Sequence, residues 1–303
     1  MSIKIAIIGG NYLFNLMKMQ VGETVELTDI TDMIFLKKRN KISKAIQYCE
    51  IIRDYDMVVN FYVTKQAAIL AHLAHIMGKP FVAYWIGTDV YDFFHSRRFS
   101  TKVFDSNWAY SYSLKEELEP IVFPVEKITL YPLQIDYSLA EMPKEHAVMM
   151  YIPEGREDFY NLKLAQELAN SFPSLRFHIV ANGRKELFPQ PNVIVHGYIS
   201  PEEMNNLFNQ ISIVVRAPKH DGQSLSIMEG QLKGKYVVYN MPFPYTIQAH
   251  TVDDFKGKIR EIISQDPQVQ LEVHNFAVQE CDPQKGRENL LRLIKSVKRR
   301  KIF

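Results

Sequence analysis

The chain is poor in cysteine: Cys49 and Cys281 are the only two in 303 residues. Two so far apart make neither a disulfide framework nor a zinc cluster, which points to a reducing compartment. No run approaches the ~18 apolar residues of a membrane span. Neither sign of charge dominates, since 36 Lys and Arg against 34 Asp and Glu leave a formal net charge of +2. Bulk electrostatics therefore select no nucleic acid and no acidic partner. Short repeats and low-complexity tracts are absent. The first residues lack the basic n-region and cleavage site of a secretory signal. The expectation is a cytoplasmic protein that touches, at most, the inner face of a membrane. A dinucleotide G-x-G-x-x-G is missing, and no Asp-x-Asp pair stands at a strand end to hold a metal. Asp253-Asp254 is an adjacent pair at an expected helix start, where acidic residues suit the dipole. No metal site and no cofactor are expected.

What is present is an ordinary globular composition, 47% hydrophobic and 23% charged, in a length that suits two domains of ~150 residues. Apolar runs alternate with helical stretches. Strands are expected at Ile3 to Ile8, Val25 to Leu27, Asp56 to Tyr62, Phe81 to Ile86 and Ile128 to Leu130. A helix from Lys65 to Met77 is stopped by Gly78-Lys79-Pro80, and another includes Leu114 to Leu118. The alternation restarts at Val148 to Ile152, followed by a helix from Leu162 to Ala169 and strands at Arg176 to Val180 and Val193 to Val195. Such spacing indicates parallel βαβ units, hence an α/β fold of two doubly wound, Rossmann-like lobes. The boundaries expected are 1–136 and 137–285, with Tyr131 to Pro143 as the linker and a final helix, 286–303.

Residues 220–238, HDGQSLSIMEGQLKGKYVV, are the most informative. The strand Ile211 to Val215 runs into a loop holding Arg216, Lys219, His220, Asp221 and Gly222. A helix then begins near Ser224 and Leu225, and Gly234 stops it before the strand at Tyr236 to Val238. The free N–H groups and positive dipole end of a helix start favour an anion, phosphate above all. Asp221 and Glu229 stand eight residues apart, one in the loop and one in the helix. A carboxylate there can accept from paired sugar hydroxyls while the helix start holds a diphosphate. Ser226 to Glu229 also fits a capping box, the structural alternative for Glu229.

This segment resembles the E-x7-E region of group-1 glycosyltransferases, the glycogen-synthase-like (family 4 type) enzymes of the two-lobed GT-B fold. Asp221, Gly222, Leu225, Glu229, Gly234, Val237 and Val238 occupy the motif's places. Asp221 is one methylene shorter than the usual Glu. Gly230 replaces the usual Ala, which by propensity alone costs about 1 kcal/mol. The resemblance implies two lobes facing across a crevice, a nucleoside diphosphate sugar as donor, no metal, and retention of anomeric configuration. It implies that Asp221 acts on the transferred sugar and that the last helix returns to the first lobe. Gly155-Arg156 after the first strand of the second lobe matches the family's Gly-Arg, and Lys163 is the only following Lys, so both are expected on the donor diphosphate. Arg216 and Lys219 are alternative phosphate cations, apt because guanidinium makes paired charge-assisted bonds. His196-Gly197-Tyr198 matches the family's strand end; His196 is assigned no chemistry. In the first lobe Gly87-Thr88-Asp89 matches a His-Gly-Ser/Thr-Asp segment whose His is Ile86 here. Asp89 is thereby the candidate to position or deprotonate the acceptor hydroxyl, its alternative being an N-cap. Gly9 and Gly10 match the glycine loop beside the donor phosphate.

The stretch Phe35 to Lys44 is locally very basic, with Lys37, Lys38, Arg39, Lys41 and Lys44. It reads either as a solvated face or as a surface for anionic lipid, and Lys298 to Lys301 would add to it. The function expected is sugar transfer from a nucleotide donor to an acceptor hydroxyl of a glycan, lipid or protein. An epimerase or hydrolase of the same fold and a non-catalytic sugar-nucleotide binder are the alternatives.

Overall fold

A computed structural model describes residues 2–35, 41–95, 99–122, 124–130, 136–222 and 224–297, with the side chains of Asn11, Phe35 and Lys41 left aside. The chain divides into two compact units, Met1–Ile135 with Cys281–Phe303, and Asp136–Glu280.

The first unit runs β1 (Ile3–Ile8), α1 (Asn11–Val21), β2 (Val25–Asp29), α2 (Thr31–Phe35), α3 (Lys41–Ile52), β3 (Met57–Phe61), α4 (Lys65–Ile76), β4 (Phe81–Trp85), α5 (Thr88–His95), β5 (Ser106–Ala109), α6 (Tyr112–Leu118) and β6 (Val125–Lys127). Its six strands are all parallel, in the order β2-β1-β3-β4-β5-β6. Central strands of such a sheet are covered on both faces and read as unbroken apolar runs. Accordingly, every residue of β3 and β4 is buried. The one polar residue of β3, Asn60, donates from Nδ2 to the Phe61 and Tyr62 carbonyls at 2.9 and 3.4 Å. It braces Tyr62, whose φ of 60° is left-handed.

The expected strand at Ile128 to Leu130 is corrected: β6 is Val125–Lys127. Ile128 and Leu130 are fully buried; Ile128 N makes the last bond to β5, donating to Ala109 O at 2.8 Å, and the chain leaves the ladder there. Their carbonyls accept instead from the Tyr84 hydroxyl at 2.5 Å and the Tyr110 hydroxyl at 2.9 Å. Burial just past the last ladder bond produced the same apolar pattern.

The second unit runs β7 (Ala147–Tyr151), α7 (Leu162–Ser171), β8 (Arg176–Val180), β9 (Val193–Gly197), α8 (Pro201–Phe208), β10 (Ile213–Arg216), α9 (Leu225–Leu232), β11 (Tyr236–Tyr239), β12 (Ile247–Gln248), α10 (Val252–Ile263) and α11 (Leu271–Glu280). The sheet is again parallel, ordered β12-β11-β10-β7-β8-β9. Period-two alternation sends Val148 and Met150 into one core and Ala147 and Met149 into the other. The adjacent Asp253-Asp254 pair opens α10, where Thr251 and Asp254 form a capping box. α9 lies close on β10 and β11: a Cβ added at Gly230 would stand 2.9 Å from Val214 Cγ2. The glycine is there for the approach, whatever it costs the helix.

α12 (Pro283–Ser296) belongs to the first unit. Asp282 caps it, accepting from Gln284 N at 2.9 Å, and Pro283 opens it, where its missing N–H costs nothing. Leu290, Leu293 and Ile294 join the first unit's core. Lys298 to Lys301 lie outside the described residues, as do Lys37, Lys38 and Arg39 of the basic stretch.

Candidate functional site

Strand order in the second sheet reverses between β7 and β10, and open α/β sheets bind ligands beyond the carboxyl ends of their strands at such a point. After β7 the chain turns through Gly155, whose φ is 79°. Glu157 fixes this turn. Its Oε1 accepts from Gly155 N at 3.1 Å and Asn182 Nδ2 at 3.0 Å, and it pairs with Arg184. The loop after β10 is tied to the loop after β7 by Lys219 N donating to Phe159 O at 2.9 Å.

Arg216 ends β10 and Tyr239 ends β11, as register partners. Arg216 Nε donates to Asp221 Oδ2 at 2.6 Å, and the Tyr239 hydroxyl donates to the same oxygen at 3.0 Å. Burial works against a charged guanidinium, yet Asp221 holds Arg216 above its ordinary value. Burial, then the Asp221 charge, push the Tyr239 hydroxyl well up, so it stays a donor. Asp221 Oδ1 and the terminal nitrogens of Arg216 have no hydrogen-bond partner among the described residues. The Arg216 guanidinium lies 5.0 Å from the Tyr160 ring centre and 5.5 Å from that of Tyr151. The exposed Arg156 guanidinium lies 4.6 Å from Phe159 and 5.6 Å from that same Tyr160 ring. Tyr160 thus gathers one cation from the loop after β7 and one from the end of β10. Lys219, also exposed, pairs with Asp158. The half-buried His220 and Gly222 continue this loop toward Ser224.

Ser224 is the N-cap of α9, but its side chain makes no capping bond; its Oγ lies 2.8 Å from Ser226 Oγ. The first-turn N–H groups, Leu225 among them, have no side-chain acceptor among the described residues. Ser226 lies inside the helix and Glu229 caps nothing, so the capping-box alternative is overturned. The Glu229 carboxylate is half-buried and unpartnered among the described residues. Burial pushes its pKa up to about 7 against the pull of Lys233.

Lys163 is placed elsewhere. It lines a cleft of about 380 Å³ with Glu157, Asn161, Gln166 and Arg184, which includes none of Arg156, Arg216 and Lys219. His196 shares a hydrogen bond with His178, Nε2 to Nδ1 at 2.9 Å, a structural pairing between neighbouring strands.

In the first unit the strand order reverses between β1 and β3. Gly9 sits there with φ 103°, and a Cβ on it would meet Phe61 O at 2.7 Å, so only glycine fits. Gly10, with φ 49°, lies against Tyr62. Asp89 is held by backbone. It is 6% exposed. Its Oδ1 accepts from Ile86, Gly87 and Val90 N at 3.0, 2.8 and 3.1 Å, and its Oδ2 from Val63 N at 2.7 Å. Burial pushes its pKa up and the four backbone donors pull it down. This carboxylate latches the loop after β3 to the loop after β4.

Tyr151, Tyr160, Tyr239 and Glu157 were not singled out from sequence. The available signal was a polar or aromatic residue ending a buried parallel strand, as Tyr239 ends β11 beside Arg216.

No family model matches the chain, and no curated protein matches its sequence. Solved structures do match its shape. The lipopolysaccharide outer core galactosyltransferase WaaB, in apo form, aligns with a TM-score of 0.71 at 14% identity, covering 97% of this chain and 99% of that one. A mutant of S. aureus TarM in complex with Fondaparinux, alpha-GlcNAc-glycerol and UDP aligns at 0.61 and 13%, covering 84% and 59%. This chain therefore spans under two thirds of TarM. A putative UDP-N-acetylglucosamine 2-epimerase from Listeria monocytogenes aligns at 0.56 and 12%, covering 98% and 96%. The chain has the GT-B fold. Glycosyltransferases predominate among these likenesses. A GT-B fold hosts more than one chemistry, so function is argued from the site.

Proposed function

We propose that the chain transfers a hexosyl group from a nucleoside diphosphate sugar to an acceptor hydroxyl, with retention and without a metal. The observation that carries this is the Glu229 carboxylate, without a hydrogen-bond partner among the described residues, inside a helix whose N-cap side chain makes no capping bond, together with the Arg156–Tyr160–Arg216 cluster at the ends of β7 and β10. In this reading Glu229 accepts from the ribose hydroxyls. The N–H groups at the start of α9, Arg156 and the terminal nitrogens of Arg216 hold the diphosphate and stabilise its charge as it leaves, the role a divalent ion plays elsewhere. Asp221 is oriented by Arg216 and Tyr239 through Oδ2, which leaves Oδ1 for a hydroxyl of the transferred sugar. With Asp89 committed to backbone donors, the acceptor's proton is assigned to the departing phosphate oxygen, which lies on the acceptor's side in a retaining displacement.

UDP and UDP-sugars are the first probes, because the TarM complex contains UDP. Labelled UDP-hexose is incubated with acceptor pools, with and without EDTA, and the product anomer is read by proton NMR. Turnover that survives EDTA and keeps the donor's anomeric configuration is expected. Complete loss on chelation, restored by manganese or magnesium, overturns the metal-free part; an inverted product overturns retention. The second reading is epimerisation, favoured by the likeness to the putative epimerase. It predicts a new UDP-sugar formed without any acceptor.

A further inference from the structure

Two lysines at the end of α9 are buried: Lys233 is 4% exposed and Lys235 is fully enclosed. A buried ammonium persists only where other groups accept its protons. Lys235 meets neutral partners, donating from Nζ to the Glu141 carbonyl at 2.7 Å, with Met142 Sδ at 3.6 Å. Burial, then Lys233, lower its pKa to about 8. Lys233 meets a carboxylate. Its Nζ donates to Asp136 Oδ2 at 2.5 Å, and to Ser138 O and Oγ at 3.2 and 3.4 Å. Asp136 is the residue at which the chain enters the second unit. Its Oδ1 accepts from Ser138 N at 2.9 Å, which shapes the turn into a cup for Nζ. The Lys233 bond, then Ser138, holds the Asp136 carboxyl down at about 2.

A second carboxylate stands one helical turn away. Glu229 precedes Lys233 by four residues, and Lys233 N donates to the Glu229 carbonyl at 2.9 Å. Side chains so placed leave the same face of a helix, and acid before base is the favoured order for an ion pair at that spacing. The charge of Lys233 already reaches Glu229, pulling its pKa down against burial. The pair is nevertheless not made. An ammonium has three donors, and Asp136 Oδ2, Ser138 O and Ser138 Oγ are three acceptors. Lys233 is thus turned away from Glu229 by the segment that opens the second unit. Without the Asp136 charge, the carboxylate on its own helix is where a buried ammonium turns.

We propose that Asp136, with Ser138, holds Lys233 off Glu229 and so keeps that carboxylate open for a ribose. Lys233 is a positioning residue with two carboxylates to choose from, and the one it takes decides whether the donor site is open. The exchange of partners is a property of the free protein; only its effect on nucleotide affinity rests on the proposed function. A pairing that served merely to pin residues 136–138 would leave Glu229 untouched when broken.

Asp136→Asn keeps the oxygen that accepts from Ser138 N and withdraws the charge from Lys233. Two readings on the full chain follow it: carboxyl carbon-13 NMR of glutamate-labelled protein without ligand, and calorimetric titration of UDP at about pH 8, above the Glu229 pKa. The Glu229 signal is identified by its loss in Glu229→Gln. In Asp136→Asn that carboxyl should titrate about one pH unit lower than in wild type, a tenfold change in proton affinity. UDP affinity should fall about tenfold, as one hydrogen-bonded charge is occupied. Adding Lys233→Met removes the freed cation and should bring UDP affinity back to within about threefold of wild type. If Asp136→Asn does not fold, Asp136→Ser, which keeps the turn through its hydroxyl, repeats both readings. An unchanged Glu229 titration overturns the proposal, and so does a loss of UDP affinity that Lys233→Met fails to restore. A lowered titration with unchanged UDP affinity supports the exchange of partners and overturns instead the assignment of the ribose to Glu229.

Discussion

Asp89 and Asp221 look alike in the sequence: each is an acidic residue just beyond an apolar strand, one in each unit. In the structure they are opposites. Asp89 gives both oxygens to four backbone N–H groups and is closed to solvent. Asp221 gives one oxygen to Arg216 and Tyr239 and keeps the other. The difference lies in the donors each meets. Loops that turn tightly after a strand aim backbone N–H groups inward, and a carboxylate there becomes part of the fold. Side-chain donors on neighbouring strand ends orient a carboxylate and leave it an edge to work with.

The largest effect that sharpens this comparison is expected from Asp89→Asn. An amide nitrogen set against N–H donors leaves at least one bond broken and one donor opposed, about 3 kcal/mol, so the melting temperature should fall by roughly 10 °C. The fraction that remains folded should turn over donor near the wild-type rate. A stable variant with a hundredfold lower kcat would make Asp89 catalytic after all.

Asp221→Asn keeps the shape and removes the charge. Turnover is expected to fall by about 10²-fold, the scale of one lost transition-state contact, with little change in UDP affinity. Unchanged kcat would remove Asp221 from the chemistry.

Gly230→Ala tests packing against propensity. Propensity alone predicts stabilisation of about 1 kcal/mol. The 2.9 Å approach to Val214 predicts the opposite sign, a loss of about 1–2 kcal/mol from overpacking. Denaturant titration reads the sign directly.

The smallest effect is the pH dependence of Glu229. Its pKa of about 7 stands above the ordinary 4.5, so between those values the folded state holds a proton that the unfolded state has released. Its contribution to stability is complete below about pH 4.5 and is lost as pH rises to about 7. Ribose hydroxyls favour the charged carboxylate, so UDP affinity should rise about tenfold from pH 6 to pH 8. Glu229→Gln should flatten both trends.

Much of the frame was legible in the sequence. Ile3 to Ile8 and Arg176 to Val180 are the strands β1 and β8 to the residue, because buried parallel strands bounded by turns leave unbroken apolar runs. Val125–Lys127 was missed because its residues are mixed in character, while the buried Ile128 and Leu130 beyond it imitate a strand. At the site, Arg216, Asp221 and Glu229 were legible as residue types at a spacing, but what each one touches was not. That Asp89 bonds to backbone, or that Tyr160 has two guanidiniums within 6 Å of its ring centre, depends on loop conformation and side-chain direction, which no one-dimensional pattern encodes. Lys163 shows the same limit: two or three positions along a helix start turned it into another cleft.

The central claim is that a nucleoside diphosphate sits where β7 and β10 part, with its ribose on Glu229. Calorimetric titration of UDP into wild type, Glu229→Ala and Asp89→Asn, at a temperature where all three are folded, tests it most directly. The account predicts binding to wild type and to Asp89→Asn alike, and at least about tenfold weaker binding to Glu229→Ala, the value of one hydrogen-bonded charge. Equal affinity in wild type and Glu229→Ala would contradict it.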